Sequence, residues 1–377
     1  MNVAVFFGGE SCEHDISVIT GVQLINNCNE YLYNIIPVYI CKNGDWYTGE
    51  MLKDIDMFSQ KNFLQSKKIK KCGMCPSDKS LFVYKKNKLK KYIDIDCAII
   101  CLHGLRGEDG SIAGLLELNK IPYVSTSIMG SSICMDKGVF KCLCRALGVE
   151  TIDGFVVCES EFLSDCESVE EKIEELGYPI ILKPCRQGSS IGISVVKNKE
   201  NLKEMLKNSF IYDKKVLIEK FLHVDKEVNV ALFEDKGKII YSNTEEPKGN
   251  DLILSFDDKY LKNRGGFETI KRIVPASISD DCEMCIKSVA NKLYKELDLF
   301  GVVRFDFIIS GEKVYINEVN TIPGSMANYL FDKKSCDYGC LIDKMISNAV
   351  HRKKVNDECV RFIDTKVLES KFDGLKK

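Results

Sequence analysis

No apolar run in this 377-residue chain reaches the roughly 18 residues that a membrane-spanning helix needs. The N-terminus, MNVAVFFGGE, carries no basic segment before its few apolar residues and therefore does not have the form of a secretion signal. A surplus of one charge is missing too. The formal net charge is −2, which gives no reason to expect nucleic acid or an acidic membrane as partner. Histidine is scarce, at four residues. No Gly-Lys-Ser/Thr closes a glycine-rich loop, so a Walker-type phosphate site is excluded. Neither Cys-x-x-Cys pair, Cys72/Cys75 or Cys282/Cys285, has a histidine at finger spacing, which favours coincidence over zinc.

What is present describes an ordinary soluble protein of two or three domains, with 45% hydrophobic and 29% charged residues. The 18 cysteines fall mostly in apolar runs such as 97–101. Without a secretion signal they are expected to be reduced, buried small hydrophobes of a cytoplasmic protein.

Asn2–Phe7 predicts a buried strand ending at Gly8-Gly9. Val18, Val22 and Ile25 then predict an amphipathic helix over about 15–27. Further apolar runs at 33–40, 96–102 and 122–125 imply a parallel α/β layer, in which ligands bind beyond the carboxyl ends of the strands. Two polar loops fall there, one with Glu13 and His14 and the other with His103 and Gly107-Glu108-Asp109-Gly110. Residues 65–91 hold ten lysines and predict an exposed hairpin edge protected by charge.

Asp136 is a plausible N-cap for a helix with Val139, Phe140, Leu143 and Leu147 on one face. Lys137 and Lys141 in its first turns oppose the helix dipole unless an anion is near. Lys137 reads either as a phosphate ligand or as a surface lysine. Next, a short helix over 169–176 stops at Gly177, and a strand over 178–184 ends in Lys183-Pro184. The loop Cys185–Ile193, rich in Gly and Ser, suits closure over a triphosphate, or else is a surface hairpin tip. A strand over 216–221 leads out of this unit, and 251–266 is irregular in the manner of a functional lid. Residues 282–297 predict an amphipathic helix.

Two apolar runs, 302–309 and 314–319, flank Ser310-Gly311-Glu312 as a hairpin. Strand alternation puts Arg304 with Asp306, and Glu318 with Asn320. Antiparallel pairing would gather Asp306, Glu318 and Asn320 into an all-oxygen set suited to Mg²⁺. The alternative is a plain hairpin with its charges in water.

The ordered set of motifs resembles the D-alanine–D-alanine ligases of the ATP-grasp superfamily over roughly residues 2–350. The matching motifs begin with Gly8-Gly9 with Glu13-His14-Asp15, His103-Gly104 and Met135-Asp136-Lys137. They continue through Lys183-Pro184 and Gly188-Ser189-Ser190 to Asn317-Glu318-x-Asn320 and Pro323-Gly324. The resemblance implies an α/β fold, with an N-terminal parallel α/β layer followed by an ATP-grasp fold of two α+β subdomains. The expected units are residues 1–124, 125–222 and 223–350, with a polar helical tail over 351–377.

By the same resemblance the activity is ATP-dependent joining of two D-alanines through an acyl phosphate, for peptidoglycan. Lys137, Lys183, Ser190, Lys220 and Lys259 would handle ATP, with Glu219 and Glu227 on adenine and ribose and Leu222 offering backbone. Asp306, Glu318 and Asn320 would hold two Mg²⁺ or Mn²⁺ ions. Glu13 would receive the first ammonium and His103 would orient it. Arg304 and the Gly324 N–H would stabilise the oxyanion, and Ser189 and Tyr260 would join the lid. Tyr329 and Leu330 would meet the carboxylate of the second substrate. A homodimer is expected, with ATP and D-alanine as partners. Tyr329 departs from the serine many relatives carry, and the lid is more compact. D-serine and D-lactate therefore remain alternative acceptors, although Lys259-Tyr260 favours an amine. A non-catalytic nucleotide binder is the remaining alternative.

Overall fold

The computed structural model describes residues 1–86, 88–248, 272–334 and 336–365. The first strand, β1 (Asn2–Gly8), is buried from Val3 onward, and Gly8 turns the chain at a φ of +92°. A side chain there would collide with the carbonyl of Ile40, so only glycine fits. Helix α1 (His14–Asn27) follows, then β2 (Asn34–Ile40), β3 (Trp46–Thr48), β4 (Lys70–Met74), β5 (Ser80–Lys85), β6 (Lys88–Asp94) and β7 (Cys97–Ile100). After α2 (Ser111–Leu118), β8 (Tyr123–Val124) completes an eight-stranded sheet ordered β6-β5-β4-β3-β2-β1-β7-β8.

The pairings among β2, β1, β7 and β8 are parallel, as the apolar runs predict. The pairings from β2 through β3, β4, β5 and β6 are antiparallel. The lysine-rich hairpin is thus the outer edge of the same sheet, with most of β6 exposed.

Helix α3 (Ile128–Met135) runs into α4 (Lys137–Ala146), with Asp136 between them accepting the Val139 N–H as N-cap. The expected apolar face of α4 is corrected at two positions, since Val139 is exposed and Lys141 is buried beside Phe140. A second sheet, ordered β11-β10-β12-β9, is built from β9 (Gly154–Cys158), β10 (Ile180–Pro184), β11 (Ser194–Val196) and β12 (Lys215–Lys220). Helices α5 (Glu159–Ser164), α6 (Cys166–Leu176) and α7 (Leu202–Tyr212) pack with it, and Gly177 ends α6.

The third sheet, ordered β14-β13-β17-β18, contains β13 (Lys226–Asp235) and β14 (Lys238–Tyr241). A short antiparallel pair, β15 (Glu246–Pro247) and β16 (Arg272–Ile273), lies beside β13. Helix α8 (Asp280–Glu296), capped by Ser279, leads to β17 (Val303–Ser310), β18 (Lys313–Asn320), a tight turn over Gly324–Leu330 and α9 (Tyr338–Asp357).

Three apolar cores underlie these sheets among the described residues. The second sheet closes over Val157, Ile173, Ile180, Leu206 and Ile218. Phe140, Cys144 and Val149 instead join the core of the third sheet, with Val230, Ile286 and Phe305. The segment from α3 to Val149 therefore packs with the C-terminal unit, although it precedes the central one in sequence. The N-terminal core receives Ile322, Met326, Ala327 and the inner face of α9. Burial of each large side chain there contributes roughly 1.5–3 kcal/mol, enough to fix the first sheet against the third.

No described helix is long and apolar enough to cross a membrane. None of the 18 cysteines is in a disulfide, and eight are buried while four are exposed, so the expected burial holds for part of the set.

Candidate active site

Strands β17 and β18 pair with Arg304 opposite Asn320 and Asp306 opposite Glu318, a register set by a bulge at Asn317, since unbroken pairing from the hairpin turn would put Asn317 opposite Asp306. Arg304 donates to both oxygens of Asp306, Nε to Oδ1 at 2.7 Å and Nη2 to Oδ2 at 2.8 Å. Asn320 Nδ2 donates to the same Oδ2 at 2.9 Å. Burial opposes the charge of Arg304, but Asp306 beside it holds the guanidinium pKa well above its ordinary value. Asp306, Glu318 and Asn320 thus offer two carboxylates and an amide from adjacent strands. That hard oxygen set fits Mg²⁺ once the Asn320 amide turns its oxygen inward.

Two lysines reach this hairpin from the preceding elements. Lys137 Nζ lies 3.5 Å from Glu318 Oε2 and donates to the Gln187 carbonyl at 2.6 Å. Lys183 Nζ donates to Asn317 Oδ1 at 3.1 Å and pairs with Glu219 at 2.6 Å. Glu219 is fully buried, and its other oxygen meets Lys141 at 3.0 Å. Burial pushes the Glu219 carboxyl up, yet Lys183 and Lys141 together hold it down at about 2. Burial lowers the Lys141 pKa, and the charge of Lys183 adds to that. The anion that satisfies Lys141 is therefore an internal carboxylate. The Glu219 carboxylate, expected on adenine or ribose, is spent on two lysines. Lys220 is exposed at the end of β12, while Leu222 and, on β13, Glu227 are half-buried.

From the first sheet, Glu13 stands at the N-cap position of α1, where its side chain makes no capping bond and instead accepts a hydrogen bond from Ser189 Oγ. Ser189 and Ser190 have φ of 50° and 61°, left-handed values that hold the Gly/Ser loop in a strained turn. A Cβ on Gly188 would lie 2.6 Å from Glu13 Oε2, so glycine lets this loop approach the carboxylate. His14, next in sequence, is buried away from the site. Its Nδ1 donates to the Gly9 carbonyl at 2.6 Å and its Nε2 accepts from Tyr39 at 3.1 Å.

His103 Nε2 lies 3.0 Å from Thr20 Oγ1, and burial, with Arg304 nearby, lowers its pKa to about 4. Glu108 accepts N–H bonds from Gly104 at 3.0 Å and Ile322 at 3.2 Å, tying the first sheet to the loop after β18. Burial and then the charge of Glu13 push its pKa up to about 8. The sequence motif contained Glu108, but nothing local gave it a role.

Beyond Pro323, the α-carbon of Gly324 faces open space. Ser325, Met326 and Ala327 then take three successive left-handed conformations, with φ of 50°, 50° and 47°. The turn is held from below by buried Met326 and Ala327, and the Ser325 N–H donates to Thr20 Oγ1 at 3.3 Å. It presents Tyr329, half-buried, while Leu330 is fully buried. The structure thus links Glu13, Ser189, Lys137, Lys183, Arg304, Asp306, Glu318 and Asn320 through successive contacts where the three sheets meet, with His103 and Gly324 beside them. Lys259 and Tyr260 lie outside the described residues.

Two family models cover this arrangement, described as D-ala D-ala ligase N-terminus and C-terminus, and they match residues 2–126 and 143–349. The chain belongs to the D-alanine–D-alanine ligase family. A D-alanine--D-alanine ligase of Thermosipho melanesiensis is 36% identical over 373 residues, 98% of this chain and 99% of that protein. The ligase structure from Helicobacter pylori is 29% identical with a TM-score of 0.74, covering 92% of this chain and 98% of that one. The VanG D-Ala:D-Ser ligase of Enterococcus faecalis is 26% identical with a TM-score of 0.77, covering 92% and 99%. In this ligase family member, the point at which the three sheets meet is the candidate active site.

Proposed function

We propose that this protein is an ATP-dependent ligase that joins two D-alanines into D-alanyl-D-alanine for peptidoglycan. The observation that carries this reading is the convergence of Glu13, from the first sheet, with Ser189, Lys137, Lys183 and the Arg304–Asp306–Glu318 cluster.

Each group has a task that its position supports. Glu13 receives the ammonium of the first D-alanine and sets its carboxylate toward the lysines. Lys137 and Lys183 hold the phosphates of ATP, with Lys183 kept in place by Glu219. Ser190, Lys220, Leu222 and Glu227 serve the nucleotide, and Lys259 belongs with them. Asp306, Glu318 and Asn320 would hold two Mg²⁺ ions, which when bound offset the charge of the phosphate oxygens. The first carboxylate takes the γ-phosphoryl group, giving an acyl phosphate and ADP. The amine of the second D-alanine then attacks that carbon, loses a proton and expels phosphate. Arg304 and the Gly324 N–H stabilise the oxyanion, and Ser189 with Tyr260 closes the site against water. His103, kept neutral by burial, orients the first substrate without adding charge. The enzyme would work in the cytoplasm, as a homodimer, in support of cell shape.

The test is phosphate release with ATP and a panel of D-alanine, D-serine, D-lactate and L-amino acids, followed by product analysis. Release with D-alanine and formation of D-alanyl-D-alanine is expected. Predominance of a D-alanyl-D-serine or D-alanyl-D-lactate product would move the assignment to those acceptors. Nucleotide binding without turnover would leave a non-catalytic relative.

A further inference from the structure

We propose that Arg272 is the residue that reads the carboxylate of the second amino acid, an assignment that rests on the ligase reading above. The resemblance places Tyr329 at that carboxylate, but the phenol is committed elsewhere. Tyr329 Oη lies 3.4 Å from Glu245 Oε2, and an ionised carboxylate can only accept, so the phenolic proton points at Glu245. Glu245 is itself buried and fixed, with Asn229 Nδ2 at 3.3 Å and reciprocal backbone bonds to Asn229 at 2.8 Å. Asn229 pairs with Asp306 across β13 and β17, so this unit is rigidly tied to the catalytic hairpin.

The Arg272 guanidinium lies over the Tyr329 ring, its Cζ 4.3 Å from the ring centre. Its Nε meets Glu245 Oε1 at 3.2 Å, and among the described residues Glu245 is the only carboxylate paired with it. The Arg272 side chain is 33% exposed where that of Glu245 is 3% exposed, so of the pair the arginine is the partner open to solvent. A guanidinium has five N–H donors in a planar fork that matches a carboxylate. The ring contact and the Nε contact restrain the guanidinium before any ligand arrives. Arg304, the other cation near Tyr329, already gives Nε and Nη2 to Asp306. Glu245 therefore orients, Tyr329 supports, and Arg272 binds.

The experiment is steady-state kinetics of the full-length enzyme with D-alanine over two concentration ranges at saturating ATP, using wild type, Arg272→Gln, Arg272→Lys, Tyr329→Leu and Tyr329→Phe. Arg272→Gln should raise the weaker D-alanine KM by about tenfold or more, with the tighter KM and that for ATP changed less than about twofold. Arg272→Lys should recover part of the loss, because it keeps the charge without the fork. Tyr329→Leu should raise the same KM by removing the platform. Thermal unfolding of each variant separates these effects from loss of fold. Overturning results are an unchanged weaker KM in Arg272→Gln, an equal rise in every KM, or a rise in Tyr329→Phe without one in Arg272→Gln. Wild type that releases no phosphate with D-alanine would instead remove the ligase reading, and this assignment with it.

Discussion

Lys141 and Glu219 form an ion pair 3.0 Å apart whose side chains are 1% and 0% exposed, sealed between α4 and β12. Such a pair is weak evidence for stability against an apolar replacement of both partners, but removing one partner strands a buried charge. Here Lys183 remains to share that charge, so the loss falls at the low end of the usual range. Lys141→Met is expected to cost about 3 kcal/mol in denaturant unfolding. Lys199→Met, which breaks ion pairs of a lysine 56% exposed, should stay within about 1 kcal/mol. Equal effects of the two substitutions would show that burial is not what makes the internal pair matter.

Glu318→Gln keeps shape and removes the negative charge at the hairpin. Turnover is expected to fall at least about a hundredfold, the usual size of a lost electrostatic contribution at a reacting phosphate. Circular dichroism and the unfolding midpoint should stay near wild type, because Glu318 is partly exposed and its pairing register is a backbone property. Near-normal activity at ordinary Mg²⁺ would refute the metal assignment.

Gly188→Ala would put a methyl group 2.6 Å from Glu13 Oε2 and 2.9 Å from Oε1. Either the loop or the carboxylate must give way. Displacement of about an ångström from productive geometry can cost on the order of a hundredfold, so kcat/KM for D-alanine should drop by ten- to a hundredfold. Nucleotide binding measured by calorimetry should change little if the Glu13 carboxylate gives way, and should weaken if the loop does, because Ser190 lies two residues on. A variant with wild-type kinetics would mean that the Glu13–Ser189 approach is not needed for turnover.

His103 is buried with its pKa lowered to about 4, mainly by desolvation, from an ordinary value of 6.5. The unfolded chain therefore binds more protons than the native one between those values, and stability falls as pH drops through that window. At roughly 1.4 kcal/mol per pKa unit, the full loss is about 3 kcal/mol, complete only below pH 4. Above pH 6.5 His103 contributes no slope. Unfolding free energies of wild type and His103→Gln should converge from about pH 6.5 downward as this penalty grows in the wild type alone. Parallel curves across pH 4–6.5 would show that His103 titrates normally.

The β17–β18 hairpin was legible from two short apolar runs around a turn, but the bulge at Asn317 that sets Arg304 against Asn320 was not, because nothing in strand alternation marks it. Asp136 and Gly177 were legible for local reasons, a capping carboxylate and a positive φ at the helix end that glycine accepts. The outer half of the first sheet was harder to read. Strand β3 spans three residues, and β4 opens on two exposed lysines, so neither carries a strand period. Lys141 misled the reading of α4, because its burial depends on Glu219, distant in sequence and adjacent only in the fold. Arg272, Glu245 and Tyr329 meet only through the pairing of β15 with β16 and the turn after β18, and no sequence pattern announces that meeting.

The three left-handed residues after Gly324 restrict how this sequence can drift. Each holds an L-residue where the backbone crowds its own Cβ, at about 1–2 kcal/mol apiece, with buried packing beneath as compensation. Glycine or asparagine could replace Ser325 with little strain, whereas valine, isoleucine or threonine would add a second branch at the crowded carbon. Mutational tolerance in this segment is therefore decided by backbone handedness before any contact with substrate is considered. Libraries aimed at altering the acceptor would do better to vary Tyr329 and Arg272 and leave 325–327 unchanged.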